Sequence, residues 1–218
     1  MIKKYFAEFL GTFGLVFCGT GAIIIDEETH GAIGHIGVAI TFGLIVLAMI
    51  YTFGNTSGAH LNPAVSIAFW VARIFDGKQL LPYIISQLAG AFLATIILHL
   101  LFPANLNLGS TIPAGSNMQS FILEFILTYF LMLVILNVSQ GPKETGILAG
   151  IAIGATVGLE AMFAGPVCGA SMNPARSLAP AIVSGNIQTI WIYLIAPTIG
   201  AVCATFTWLM MKNSMEKK

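Results

Sequence analysis

Charge is what this chain has least of. Lysine and arginine number 9, aspartate and glutamate 9, and together they are 8 % of the 218 residues. A soluble domain carries about 25 %. The shortage excludes a well-solvated surface. With 57 % hydrophobic residues and a mean hydropathy of +0.89, the chain reads as an integral membrane protein. The signs balance to a net charge of 0, so nothing points to nucleic acid or to an acidic partner. Cysteine is scarce as well: Cys18, Cys168 and Cys203 cannot all pair, and no disulfide framework is expected. Also missing are a nucleophile beside a base, a glycine loop followed by lysine for a phosphate, and metal-ligand spacing among His30, His35 and His99. No enzyme, cofactor or metal is therefore expected, and these three histidines are placed at the surface or membrane interface. No cleavable leader is expected either, because the apolar run after Lys4 contains Glu8 and reaches Ile25 without a cleavage site.

What is present is one stretch written twice. Ser57-Gly58-Ala59-His60-Leu61-Asn62-Pro63-Ala64-Val65-Ser66 returns as Gly169-Ala170-Ser171-Met172-Asn173-Pro174-Ala175-Arg176-Ser177. Asparagine is a strong helix N-cap, and proline is favoured at the first helical position because its missing N–H would be unpaired there anyway. Both copies therefore read as helix starts after a tight small-residue loop. The first helix is apolar to Ala72 and stops at Arg73-Ile74-Phe75-Asp76-Gly77. About 11 residues make a helix of roughly 17 Å, half of a ~30 Å hydrocarbon core. A half-helix is tolerated in a membrane only where its broken end lines a polar cavity or is buried in protein.

The remaining apolar segments predict an all-α integral membrane fold with six full spans, roughly 5–25, 36–54, 80–102, 118–139, 146–165 and 189–211. Half-helices at about 62–73 and 173–184 follow the second and fifth spans. Six spans put both termini on one side. Lys3, Lys4, Arg73, Lys78, Lys143, Lys212, Lys217 and Lys218 all fall there, which makes that side cytoplasmic. The opposite loops hold Asp26, Glu27 and Glu28, and only Arg176 breaks the rule. A lone arginine on the wrong side, inside a membrane loop, is the strongest single site candidate. The halves also repeat: Asn62 and Asn173 are 111 apart, and Glu8-Phe9 matches Glu124-Phe125. Three spans per half is odd, so the second half must be inserted upside down. The expected organisation is one channel domain over 1–218, with a first repeat at 1–103 and an inverted one at 118–211, and binding at the repeat interface near the midplane. The in-span glycines read first as helix-packing positions.

The paired Asn-Pro-Ala motifs, Asn62, Pro63, Ala64 and Asn173, Pro174, Ala175, resemble those of the aquaporin, or major intrinsic protein, family. The resemblance covers nearly the whole chain. It implies two half-helices meeting at the midplane, with the asparagine amides donating to a passing oxygen and the helix starts opposing cations and proton hopping. A lone Asn-Pro would be read as an N-cap only; two copies in register favour a pore. Arg176 resembles the family's filter arginine at the outer constriction, a fixed guanidinium that donates to hydroxyls and repels cations. By offset from the motifs, the other filter positions match Phe42, Ala161 and Ala170. The water-selective branch has histidine where Ala161 stands. The glycerol-facilitator branch has an aspartate after the arginine where this chain has Ser177, and a lysine where it has Ala181. The run from Gly150 to Val183, with Phe163-Ala164-Gly165-Pro166-Val167, together with Tyr193-Leu194, Gly37-Val38-Ala39-Ile40 and Tyr83-Ile84-Ile85-Ser86-Gln87, is similar to the nodulin-like branch. That branch implies small uncharged polyols, water, and hydroxylated metalloids such as arsenous or boric acid. The family further implies a homotetramer with one pore per subunit in the plasma membrane. The short tails fit a microbial rather than a plant member. Physically, two alanines facing one phenylalanine and one arginine make a wide aperture, apolar on one wall and hydrogen-bonding on the other.

Glu8 and Glu124 sit inside spans, where a carboxylate is expensive and usually paired or functional. In the family such residues look structural, bonded to the backbone of the half-helix loops. Glu160 has no repeat partner; snorkelling, staying protonated and bracing the Arg176 loop all remain open. His60 is placed either at the inner vestibule, with a gating role, or in packing. Cys168 is placed in the outer loop, reactive or buried. Three other functions stay open, a water-selective pore first among them. A secondary transporter also has inverted repeats and broken helices, and would couple through Glu8, Glu124 or Glu160. A non-conducting junctional protein would show no osmotic flux.

Overall fold

The computed structural model describes residues 1–140 and 147–215, with side chains through Lys212. Lys143, Lys217 and Lys218, three of the cations used to orient the chain, lie outside the described residues, as does residue 146 at the edge of the fifth span. Eight α-helices are described: α1 Ile2–Glu28, α2 Gly34–Ser57, α3 Pro63–Val71, α4 Gly77–Leu101, α5 Asn117–Ser139, α6 Ala149–Cys168, α7 Pro174–Ser184 and α8 Ile190–Met215. Six are long and apolar enough to cross a membrane. The other two, α3 and α7, have 9 and 11 residues. At 1.5 Å per residue neither spans a bilayer.

Helices α1 and α2 outrun the sequence-based limits at both ends because hydropathy falls before helical hydrogen bonding does. Helix α1 continues through Asp26, Glu27 and Glu28, whose charges reach water from a helix end. α3 stops two residues short of the expected 73. The Ala72 N–H closes the last turn on the Ala68 carbonyl, and Arg73 turns left-handed at φ 61°. The fifth span moves the other way. Pro166 reads as a break, yet α6 runs through it to Cys168. Proline removes the N–H that the Met162 carbonyl would accept, and His35 Nε2 lies 2.7 Å from that carbonyl instead.

Helices α1 and α4 run parallel: Tyr5 meets Tyr83 at their starts (centroids 5.9 Å), and Asn105 just beyond α4 donates to Glu27 near the end of α1 (2.8 Å). α5 and α8 form the matching pair. Each pair closes on a glycine: a Cβ on Gly90 would strike the Phe9 carbonyl, and one on Gly200 the Phe125 carbonyl. Helices α2 and α6 cross where the halves meet. A Cβ on Gly43 would sit 2.7 Å from the Gly154 carbonyl oxygen, and one on Gly154 2.6 Å from that of Gly43. Such backbone approach is how membrane helices associate without a hydrophobic drive. The core is built largely of alanine, with Ala39, Ala64, Ala68, Ala91, Ala175 and Ala179 fully or nearly fully buried, while leucine and phenylalanine such as Leu44, Leu100 and Phe130 face outward. That inversion is the expected packing of a chain whose solvent is lipid.

Candidate functional site at the junction of the two re-entrant loops

Each half-helix is entered through the same backbone path. Gly58, Ala59 and Leu61 have φ of 87°, 46° and 52°; Gly169, Ala170 and Met172 have 84°, 40° and 53°. Four of these six are not glycine, and left-handed non-glycine residues cost on the order of 1–2 kcal/mol each. Something outside the loops must hold them.

Part of the hold comes from the asparagines. Asn62 Oδ1 accepts the Ala64 N–H (2.9 Å), and Asn173 Oδ1 accepts those of Ala175 (3.0 Å) and Arg176 (3.4 Å). These are N-caps, and they fix each amide with its nitrogen pointing away from its own helix. Asn62 Nδ2 then donates to the Met172 carbonyl (2.7 Å), and Asn173 Nδ2 to the Leu61 carbonyl (2.8 Å). The loops are thus tied to each other reciprocally, across the repeat. One of the two amide donors on each asparagine is spent on the junction, and the other has no bond among the described residues.

The rest comes from side chains of the spans. Glu8 accepts the N–H groups of His60 (2.9 Å) and Leu61 (2.7 Å), the Ser57 hydroxyl (2.7 Å) and Gln87 Nε2 (2.8 Å). Glu124 accepts those of Ser171 and Met172, both at 2.8 Å. The two carboxylates are fully buried and bonded to the loop backbone. Two tyrosines do the matching work at the helix ends. Tyr83 donates to the Ser57 carbonyl and Tyr193 to the Cys168 carbonyl, both at 2.8 Å. Sequence reasoning used these tyrosines only as family marks. Their 110-residue spacing, one short of the 111 between the motif asparagines, was the available signal. Ser66 and Ser177 were passed over too. Ser66 bonds His60 Nδ1 (3.0 Å) and Gln87 Nε2 (3.0 Å), and Ser177 bonds Ser171 and the Thr111 hydroxyl (2.8 Å).

A cavity of about 750 Å³ passes this junction. Asn62, Asn173, Ala170, Arg176, Phe42 and His60 all line it. Two helix N-termini, each with roughly half a positive elementary charge, border it, since their N-caps Asn62 and Asn173 are among its lining. His60 is packed among Phe69, Phe75 and Tyr83, with centroids 4.7, 4.7 and 5.0 Å away, so it both lines the vestibule and belongs to an aromatic cluster. Arg176 is 2 % exposed. One Nη donates to the Gly109 carbonyl (2.7 Å), the guanidinium carbon stands 5.1 Å from the Phe42 ring centre, and Nε has no hydrogen-bond partner among the described residues.

Ala161 is the fourth of the expected filter positions. It is buried on α6 and is not among the residues that line this cavity, whereas Phe42, Ala170 and Arg176 are. Beside Ala161, Glu160 is 4 % exposed, and its Oε2 has no partner among the described residues. Snorkelling is thereby excluded. Cys168 is corrected from the outer loop to the last turn of α6, buried, with its thiol toward the Ala164 carbonyl (3.5 Å). His30, His35 and His99 are exposed.

Six spans in two inverted halves, with two half-helices joined tip to tip beside a largely apolar cavity that Asn62, Asn173 and Arg176 also line, define a multi-pass membrane channel. The chain matches the model of the major intrinsic protein family over residues 1–208 and belongs to that family. Its relatives include aquaporin NIP1-1 of Oryza sativa subsp. japonica, 45 % identical over 212 residues covering 97 % of this chain and 75 % of the relative. Nodulin-26 of Glycine max is 44 % identical, covering 97 % and 78 %. Among solved structures, the aquaglyceroporin from Plasmodium falciparum superposes with a TM-score of 0.81 at 29 % identity, covering 95 % of each chain. The protein is accordingly an aquaporin-family passive channel and not an enzyme.

Proposed function

We propose that this channel carries small uncharged hydroxylated solutes, namely glycerol-like polyols and metalloid acids such as arsenous and boric acid, together with water, and that it excludes ions and protons. The observation that carries the reading is the pairing of Arg176 and Phe42 on one cavity wall with the bare methyl of Ala170. A polyol has a carbon side and a hydroxyl side. The ring accepts the first; the guanidinium donors and the free asparagine N–H groups accept the second. A cation meets a buried guanidinium and two helix N-termini, and gains no carboxylate to replace its hydration. Glu8 and Glu124 are occupied by the loop backbone, which weighs against ion coupling. The name of the aquaglyceroporin on which this chain superposes supports the polyol part of the reading.

The functional unit proposed is a single domain of two repeats, 1–103 and 118–211. By family likeness it forms a homotetramer in the plasma membrane with both termini in the cytoplasm. The test is glycerol permeability in proteoliposomes by light scattering, with water flux on the same preparation. We expect glycerol flux well above that of empty vesicles. Fast water with glycerol at the background level would overturn the polyol reading in favour of a water-selective pore, and uptake driven by a proton gradient would overturn the channel reading.

A further inference from the structure

We propose that Asn105, in the loop between α4 and α5, is a positioning residue that sets where the Arg176 guanidinium stands, acting through the Gly109 carbonyl; this rests on the filter reading of Arg176 above. Arg176 is buried with its Nε unpartnered. Among the described residues its guanidinium has one hydrogen bond, to the Gly109 carbonyl (2.7 Å), beside the face of Phe42. Moving that carbonyl therefore moves the charge.

The carbonyl is aimed by two consecutive left-handed residues, Leu108 at φ 51° and Gly109 at φ 65°. Gly109 lies against α1, where a Cβ would come 2.9 Å from the Thr20 side chain. Leucine does not adopt this conformation unaided. Asn105 Oδ1 accepts the Leu108 N–H (2.8 Å) and the Asn107 N–H (3.2 Å), the side-chain mimic of a backbone turn. Asn105 is itself buried, and its Nδ2 donates to Glu27 Oε2 (2.8 Å) on α1. The chain of contacts runs from Glu27 through Asn105 to the Gly109 carbonyl and on to Arg176. It joins α1 to a residue of α7 through a loop belonging to neither. The same loop is pinned separately to α7 and the segment just after it, by Thr111 on Ser177 (2.8 Å), Ser110 with Ser184 (3.0 Å) and Asn186 on Asn107 (3.4 Å). Loss of Asn105 would loosen the carbonyl without releasing the loop.

The experiment compares glycerol and water permeability of the full chain in proteoliposomes at matched amounts of folded protein. Asn105→Ala should shift the glycerol-to-water ratio about fivefold, the worth of one neutral hydrogen bond. Glu27→Ala, a change at an exposed carboxylate that leaves the Leu108 bond in place, should shift it less and in the same direction. Asn105→Asp keeps the acceptor but sets two carboxylates against each other, and should also shift it. Asn105→Asp with Glu27→Gln exchanges donor and acceptor across the contact and should restore the wild-type ratio. Arg176→Ala is the reference. If it moves the ratio while the Asn105 variants scale both fluxes together, or leave them unchanged, the positioning role is wrong and the filter stands. If Arg176→Ala itself leaves the ratio unchanged, the filter reading fails and this inference with it.

Discussion

Asn62 makes two kinds of bond that one substitution separates. Its Oδ1 caps α3, and its Nδ2 ties the first loop to the second. Asn62→Asp keeps an acceptor for the cap and removes the donor. The Met172 carbonyl then loses its partner inside the membrane, so thermal stability in detergent should fall by about 1–3 kcal/mol, although the α3 cap survives. A melting temperature equal to that of the wild type would show the bridge to be dispensable. Ala161→His tests the aperture. The imidazole adds bulk and polarity that the alanine methyl lacks at the position the filter offset assigns. Glycerol flux should drop about tenfold or more with water flux spared, measured side by side on one vesicle preparation. Glycerol flux that survives would mean that Ala161 faces away from the path. The residue scale is where the sequence was most legible and also where it misled. Asparagine before proline reports a cap because capping is local chemistry. That the same side chain reaches a carbonyl 110 residues away is tertiary information, invisible in any window. The filter offsets counted from the motifs locate backbone positions. Whether a side chain as short as that of Ala161 reaches the lumen depends on helix rotation, which offsets do not carry.

At the level of elements, the glycines of α2 and α6 show why a small residue in a span is informative only in pairs. Gly43 and Gly154 are 111 apart, like the two motif asparagines, and each occupies the space the other's side chain would need. Gly43→Ala must push the two backbones apart, at about 1–3 kcal/mol as for other overpacked contacts. A lowered melting temperature is the expected result. An unchanged one would mean that the crossing relaxes freely. The helices themselves were readable from hydropathy, the half-helices from the Asn-Pro-Ala starts. Their ends were not, since α6 passes Pro166, with His35 of α2 lying at the freed Met162 carbonyl. A side chain supplied from another element leaves no trace in the local pattern.

For the whole molecule, the distribution of charge gives the testable statement. Lys3, Lys4, Arg73 and Lys78 are exposed at one end, and Asp26, Glu27 and Glu28 lie at the other. With Lys3→Cys and Ile112→Cys introduced separately, a membrane-impermeant maleimide added to intact cells should label the second directly. The first should react only after permeabilisation. The reverse pattern would invert the proposed orientation and place Arg176 at the cytoplasmic mouth. Inverted duplication was legible because an odd number of spans per half forces it.

The reciprocal bonds between the two loops also set a timetable for synthesis. When α3 has been made, Asn62 caps it, yet the Met172 carbonyl it will bind does not exist. At roughly 5–20 residues per second, the 110 residues that separate them take about 5–20 s to appear. For that interval the first half holds a bare amide donor and an unpaired Leu61 carbonyl at membrane depth. The newborn half-channel must therefore be kept wet or chaperoned until its mirror image arrives, and a ribosome that stalls between the halves leaves behind a marked, unfinished product.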